Sequence, residues 1–188
     1  ALMVEGNGRD LTQAGQTTWL PVCGEGGRCV TVFGHLQPDE KDPQLLHFLY
    51  RFSTEAPVAF NSAYLEMRLP LHPYAGEELA TLGGLKCEPA FSVDPPAPGA
   101  HLANGNGSGL AAAGESPHGF RLQTETPHWM CVNDERVWNK RNEFCTIQCC
   151  AIVRPNGATL EPGQSAEVQG TLRFNAPVRI EQPPAPDP

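Results

Sequence analysis

Apolar and polar side chains alternate along much of this chain. Ala166, Val168, Leu172 and Phe174 interleave with Glu167, Gln169, Thr171 and Arg173, the period of two that turns one strand face to a core and the other to water. Gly170 inside that run predicts a bulge or a close backbone approach. Ala63, Leu65, Met67, Leu69 and Leu71 repeat the period, with Tyr64, Glu66 and Arg68 on the wet side. Pro70 lacks an N–H and puts that strand at an edge or at its own end. Phe48, Tyr50 and Phe52 favour a strand over the helix that Asp42-Pro43 would otherwise start. From Phe144 to Val153 nearly every position is apolar, so a strand buried on both faces is expected.

Shorter runs complete the pattern. Thr17 to Val22 and Cys29 to Phe33 flank a glycine-rich loop and predict a hairpin. Phe120 to Thr124 and Trp129 to Val132 read as strands, with Val137-Trp138 beyond a turn at Asn133-Asp134. Arg154-Pro155-Asn156-Gly157 reads as a further turn, and Val178 and Ile180 as a last short strand. Between Glu88 and Gly119 the alternation fails. Asp94-Pro95-Pro96-Ala97-Pro98-Gly99 and Asn104-Gly105-Asn106-Gly107-Ser108-Gly109 predict a long loop or linker at 88–119. Residues 1–16 read as an extended arm and 181–188 as a proline-rich tail. Roughly eight to ten short strands separated by turns predict an all-β, antiparallel β-sandwich, Ig-like or jelly-roll-like, with long Pro/Gly-rich loops. One domain spans 1–188.

Composition narrows the role. Nineteen glycines and nineteen prolines in 188 residues argue against a helical bundle. A net charge of −8 is the wrong sign for a nucleic-acid partner, whose phosphates call for Lys and Arg. No apolar run approaches the ~20 residues of a membrane-spanning helix. The first residue is Ala1, which fits removal of a signal peptide.

Seven cysteines, Cys23, Cys29, Cys87, Cys131, Cys145, Cys149 and Cys150, point to a disulfide-stapled protein of an oxidising compartment: extracellular, periplasmic or on a virion surface. Adjacent Cys149 and Cys150 face opposite sides of a strand and so would serve different partners. A competing reading gathers His128, Cys131, Cys145 and Cys149 around zinc. Asn106-Gly107-Ser108 fits the N-glycosylation pattern.

Hydrolytic motifs are missing from the sequence, which has neither a G-x-S-x-G elbow nor H-E-x-x-H. No cofactor and no enzymatic activity are expected. Trp129 and Trp138, the latter beside Lys140 and Arg141, are the candidate interface anchors. The leading expectation is a non-catalytic structural subunit whose extended arms contact other protein subunits, same or different. Two alternatives are a secreted ligand-binding or adhesion module for a glycan or protein, using loop aromatics, and a metal-binding or redox protein.

Overall fold

The computed structural model describes residues 2–4, 9–10, 18–23, 29–88, 90–95 and 101–178. These form an antiparallel β protein whose helical structure, among the described residues, is one 3₁₀ turn at Glu135–Val137. Twelve strands follow in chain order: β1 Leu2–Val4, β2 Arg9–Asp10, β3 Thr18–Cys23, β4 Cys29–Pro38, β5 Leu45–Thr54 and β6 Val58–Pro70, then β7 Leu79–Leu82, β8 Lys86–Cys87, β9 His101–Ala112, β10 Phe120–Asp134, β11 Phe144–Leu160 and β12 Ser165–Phe174.

The hydrogen-bonded order runs β2-β1-β6-β11-β10-β12-β5-β4-β3, with β9 on β10 and the short β7 and β8 on β9. β10 is the hub. Its first half, Phe120 to Thr124, pairs with β12, and its second half, Trp129 to Asp134, pairs with β11. Strand β9 accompanies both halves, with a register shift between Gln123 and His128. Two arms of sheet therefore diverge from one strand that changes partner at a bulge. They share one core cluster: Leu46, Phe48, Tyr50, Phe52, Val168 and Leu172 from one arm meet Leu65, Met67, Leu69, Met130 and Ile147 from the other.

Most of the alternation foreseen in the sequence is realised. β5 buries Leu46, Phe48, Tyr50 and Phe52, and β12 buries Val168 and Leu172 against it in register. β11 is buried on both faces, with Cys145, Ile147 and Cys149 on one and Thr146 and Cys150 on the other. The β3–β4 hairpin forms, setting Cys23 opposite Cys29. Gly170 is a close approach, since a Cβ there would lie 2.1 Å from the carbonyl oxygen of Gln123.

The loop expected at 88–119 is the largest correction. Residues 101–112 are β9, including the whole Asn104 to Gly109 run. Poor strand propensity is overridden because two of these glycines, Gly107 and Gly109, fit where nothing larger would. A Cβ on Gly107 would meet Leu85 Cγ at 2.6 Å, and one on Gly109 would meet the Leu122 carbonyl at 2.1 Å. Three further segments differ from expectation. Phe120–Thr124 and Trp129–Val132 are one strand, Val137-Trp138 belongs to the 3₁₀ turn and its exit, and 154–157 is an irregularity within β11 between Val153 and Ala158. In the expected arm at 1–16, β1 pairs with β6 and β2 with β1; its other residues, Ile180 and the tail at 181–188 lie outside the described residues.

A buried ion pair ties a loop to the end of β10. Asp134 is fully buried, and Arg136 Nε donates to its Oδ1 at 3.0 Å and Nη2 to its Oδ2 at 2.6 Å. The rest of the guanidinium donates to the carbonyls of Ser92 at 2.7 Å and Val93 at 2.8 Å. Phe91, next in the chain, is buried beside Tyr74 at a ring separation of 5.7 Å.

Replacing one partner of such a pair strands the other. Asp134→Ala is expected to lower unfolding free energy by about 3–5 kcal/mol, read as a fall in the urea midpoint. Gly170→Ala is expected to destabilise by about 1–3 kcal/mol through overpacking, whereas Gly163→Ala, where a Cβ meets nothing within 4 Å, incurs only the strain of its positive φ. Equal unfolding midpoints for wild type and Gly170→Ala would refute the close contact.

Candidate functional site

Strand register sorts the residues of β6, β11, β10 and β9 onto two faces. Leu65 pairs with Cys149, Met67 with Ile147 and Leu69 with Cys145, and this face enters the core. The intervening pairs, Glu66 with Gln148 and Arg68 with Thr146, look the other way. Cys131 opposite Gln148, Trp129 opposite Cys150, Asn104 opposite Cys131 and Asn106 opposite Trp129 share that outer face. The 3₁₀ turn then carries Trp138 over its end. Trp138, Phe144, Glu66, Arg68, Asn133, Glu135, Thr146 and Gln148 enclose a concavity of about 360 Å³.

Of its three charged groups, Glu66 and Arg68 pair with each other, and Glu135 is bonded to a hydroxyl. Glu66, expected on the wet side of its strand, is only 6% exposed: Arg68 Nε donates to its Oε1 at 3.0 Å and Gln148 Nε2 to its Oε2 at 3.1 Å. The Arg68 guanidinium also sits 5.2 Å from the centroid of the Phe144 ring, a cation–π contact. Thr146 Oγ1 donates to Glu135 Oε1 at 2.6 Å. Two aromatics of this face are exposed, Trp138 by 69% and Trp129 by 38%.

A thiol, an imidazole and an amide meet on the same face. Cys131 Sγ lies 3.2 Å from His101 Nδ1 and from Asn133 Oδ1, and His101 Nδ1 lies 2.5 Å from Asn133 Oδ1. The residue types resemble a nucleophile, a base and an orienting group. The arrangement does not. Asn133 Oδ1 accepts from the Cys131 thiol, which commits the thiol proton to the amide rather than to the imidazole; the contacts of His101 Nδ1 follow the ring's tautomer. Burial pushes the Cys131 thiol up to about 11, which keeps it protonated at neutral pH. Sequence reasoning had set His128 beside Cys131. Instead His128 Nδ1 approaches the carbonyl of Cys150 at 3.1 Å and its Nε2 the hydroxyl of Thr126 at 3.2 Å.

The zinc reading is overturned by the same alternation. Cys145 and Cys149 enter the core face while Cys131 occupies the outer one, so no ion could reach all three. Among the described residues no group of three or more His, Cys, Asp or Glu is placed to hold a metal. The disulfide framework is likewise not found among them. Cys131, Cys145, Cys149 and Cys150 are buried free thiols and Cys87 is an exposed one. Cys23 and Cys29 face each other in register, but their side chains lie outside the described set. Lys140 and Arg141 are exposed beside Trp138, and Asn106 is exposed on β9.

A second, shallower concavity of about 310 Å³ is formed by Gln37, Pro38, Asp39, Glu40, Lys41 and His47. Asp39 there closes a turn: its Oδ1 accepts from the backbone N–H groups of Lys41 and Asp42, both at 2.9 Å, and Oδ2 contacts His47 Nε2 at 2.9 Å. Hydrogen bonding from His47, then from those N–H groups, lowers Asp39 to about 2. Both its oxygens are thus engaged, one by the turn and one by His47.

A scan against protein-family models and a search of curated proteins both find no match to this chain.

Two outcomes test these assignments. In a brief iodoacetamide pulse at pH 8, Cys87 is expected to alkylate, while the four buried cysteines label only after unfolding. With Cys131 near 11, about one thiol in a thousand is ionised at that pH; labelling of Cys131 as fast as Cys87 would restore it as a nucleophile. Asp39, lowered in the folded state, contributes stability above its ordinary value that is lost as pH falls through that value toward 2. Asp39→Asn is therefore expected to flatten the acid limb of a stability–pH profile in that window.

Proposed function

We propose that this protein is a non-catalytic ligand-binding module whose binding surface is the outer face of β6, β11, β10 and β9, with Trp138 as its anchor. The observation that carries the proposal is the 69% exposure of Trp138 over a concavity lined by Glu66, Arg68, Glu135 and Phe144. A large exposed indole is costly to keep in water and is the residue type most often found at the centre of binding surfaces. The Cys131 thiol of the thiol–imidazole–amide cluster, kept protonated by burial, supports binding over catalysis.

This reading is favoured over a structural subunit because of where the chain is used. Of the segments expected to reach neighbours, 101–112 is consumed by the protein's own sheet. We read the two arms diverging from β10 as the two layers of a β-sandwich, supported by their common core cluster. We place the module outside the cell on the opposition of Cys23 and Cys29 across the β3–β4 register, a pair spaced for a bridge in an oxidising compartment.

Screening the immobilised protein against glycan and protein arrays is expected to give a partner whose capture Trp138→Ala abolishes. Because the side chain is exposed, that substitution should alter stability by no more than about 0.5 kcal/mol. Retention of every hit by Trp138→Ala would refute the assigned surface.

A further inference from the structure

The concavity beside Trp138 carries an unbalanced charge. Two carboxylates, Glu66 and Glu135, meet one guanidinium, Arg68, in its wall. Arg68 is taken by Glu66, whose Oε1 lies 3.0 Å from its Nε, and Gln148 Nε2 donates to the other Glu66 oxygen at 3.1 Å. Glu135 has only a hydroxyl, since Thr146 Oγ1 donates to its Oε1 at 2.6 Å. Among the described residues no Lys, Arg or His forms an ion pair with Glu135, and its Oε2 is left without a donor. Lys140, Arg141 and Glu143 are exposed and outside the wall. Water and salt screen such charges far more than they screen a half-buried carboxylate.

The free carboxylate oxygen and the free indole belong to one turn. Trp138 follows Glu135 by three positions at the end of the 3₁₀ turn, the interval at which side chains of such a turn stand one above the other. Its backbone N–H donates to the Glu135 carbonyl at 3.2 Å, and Asn142 Nδ2 donates to the same oxygen at 2.9 Å, so the pair is held in place. Among the described residues the Trp138 indole has no ring or cation against it, whereas the Phe144 ring already carries Arg68 at 5.2 Å. One free carboxylate oxygen falls far short of the six to eight that calcium takes, and no metal-holding group is formed by the described residues. A carboxylate beside the face of an indole instead suits an organic ammonium ion, which both attract and whose alkyl substituents pack on the ring.

We propose that this concavity binds an organic ammonium group, with the cation held between Glu135 Oε2 and the Trp138 indole. This rests on the ligand-binding reading above and names the chemistry of the ligand's anchoring group. A volume of about 360 Å³ accommodates that group together with its alkyl substituents. The group can belong to a small quaternary amine or to a lysine side chain of a protein partner, and each source has its own arm in the test.

The test is titration calorimetry and tryptophan fluorescence of the full chain. The probes are choline and N-acetyl-lysine amide, each with an uncharged match: the carbon isostere of choline and N-acetyl-norleucine amide. Succinate is the anionic comparator. The proposal expects at least one ammonium probe to bind, at least about tenfold more tightly than its match. Glu135→Gln, which keeps an oxygen for Thr146, and Trp138→Ala should each weaken that probe about tenfold with the urea midpoint unchanged. The matched probes are compared on the wild type, so the proposal stays exposed even where a variant fails to fold. Preference for choline assigns the small amine; preference for the lysine amide assigns the side chain, and array partners are then lost when their lysines are acetylated. Equal binding of charged and uncharged matches, preference for succinate, no binding of either ammonium probe, or a folded Glu135→Gln that binds like wild type overturns the ammonium site. Array partners lost with Trp138→Ala in any of those cases would leave the binding surface standing and remove only the ligand chemistry. If the array hits also survive Trp138→Ala, the surface itself falls.

Discussion

The backbone of β10 needs partners on both edges over its full fifteen residues, and the rest of the fold is arranged to supply them. β9 serves one edge along both halves, with an interruption between Gln123 and His128. The other is served by β12 and then β11, because the two arms diverge and no single straight neighbour could follow both. An unpaired, buried N–H or C=O costs as much as a lost hydrogen bond, so the hand-over falls at a bulge with side-chain help. The Thr124 hydroxyl, with its single proton, donates there to the carbonyl of Thr126 at 2.8 Å, with that of Ser108 at 3.2 Å. Glycines on both neighbours, Gly109 and Gly170, let the flanking strands close on the bend.

The far end of the same strand is held by Asp134 and Arg136. That pair does two things at once. It satisfies a carboxylate in the core, and it turns the remaining guanidinium donors onto the Ser92–Asp94 carbonyls, securing a segment with no strand partner of its own. The 3₁₀ turn begins at Asp134, whose side chain also accepts from the Arg136 backbone N–H. This cap sets the exit direction that brings Trp138 over Glu66 and Thr146. The proposed binding surface is thus positioned by a structural ion pair rather than by contacts of its own.

Buried polar groups on the outer face show how a sheet can carry aromatics without collapsing onto them. Glu66 and Thr146 are nearly as inaccessible as core residues, yet each is hydrogen-bonded to a neighbour on the same face. Among the described residues no buried side-chain nitrogen or oxygen lacks a partner. A fully satisfied network of this kind is rigid, and a rigid floor under an exposed indole lowers the ordering cost of binding.

Alternation alone made the class, the principal strands and their inward faces legible, since the pleat has a period of two whatever the fold. It announced β5, β6, β11 and β12 and the burial of both faces of β11. It also separated Cys149 from Cys150, and the same parity, once register was known, dismantled the zinc set. The prominence of Trp138 was readable from its polar surroundings. Strand β9 was not: Asn-Gly-Asn-Gly-Ser-Gly has no apolar period, and only the approach of Leu85 and Leu122 explains why glycine belongs there. The partners of Glu66, the meeting of His101 with Cys131 and Asn133, and the placing of both tryptophans on one face join residues tens of positions apart. Those were decided by strand order and register, quantities that depend on which strands share a core rather than on any local run of sequence.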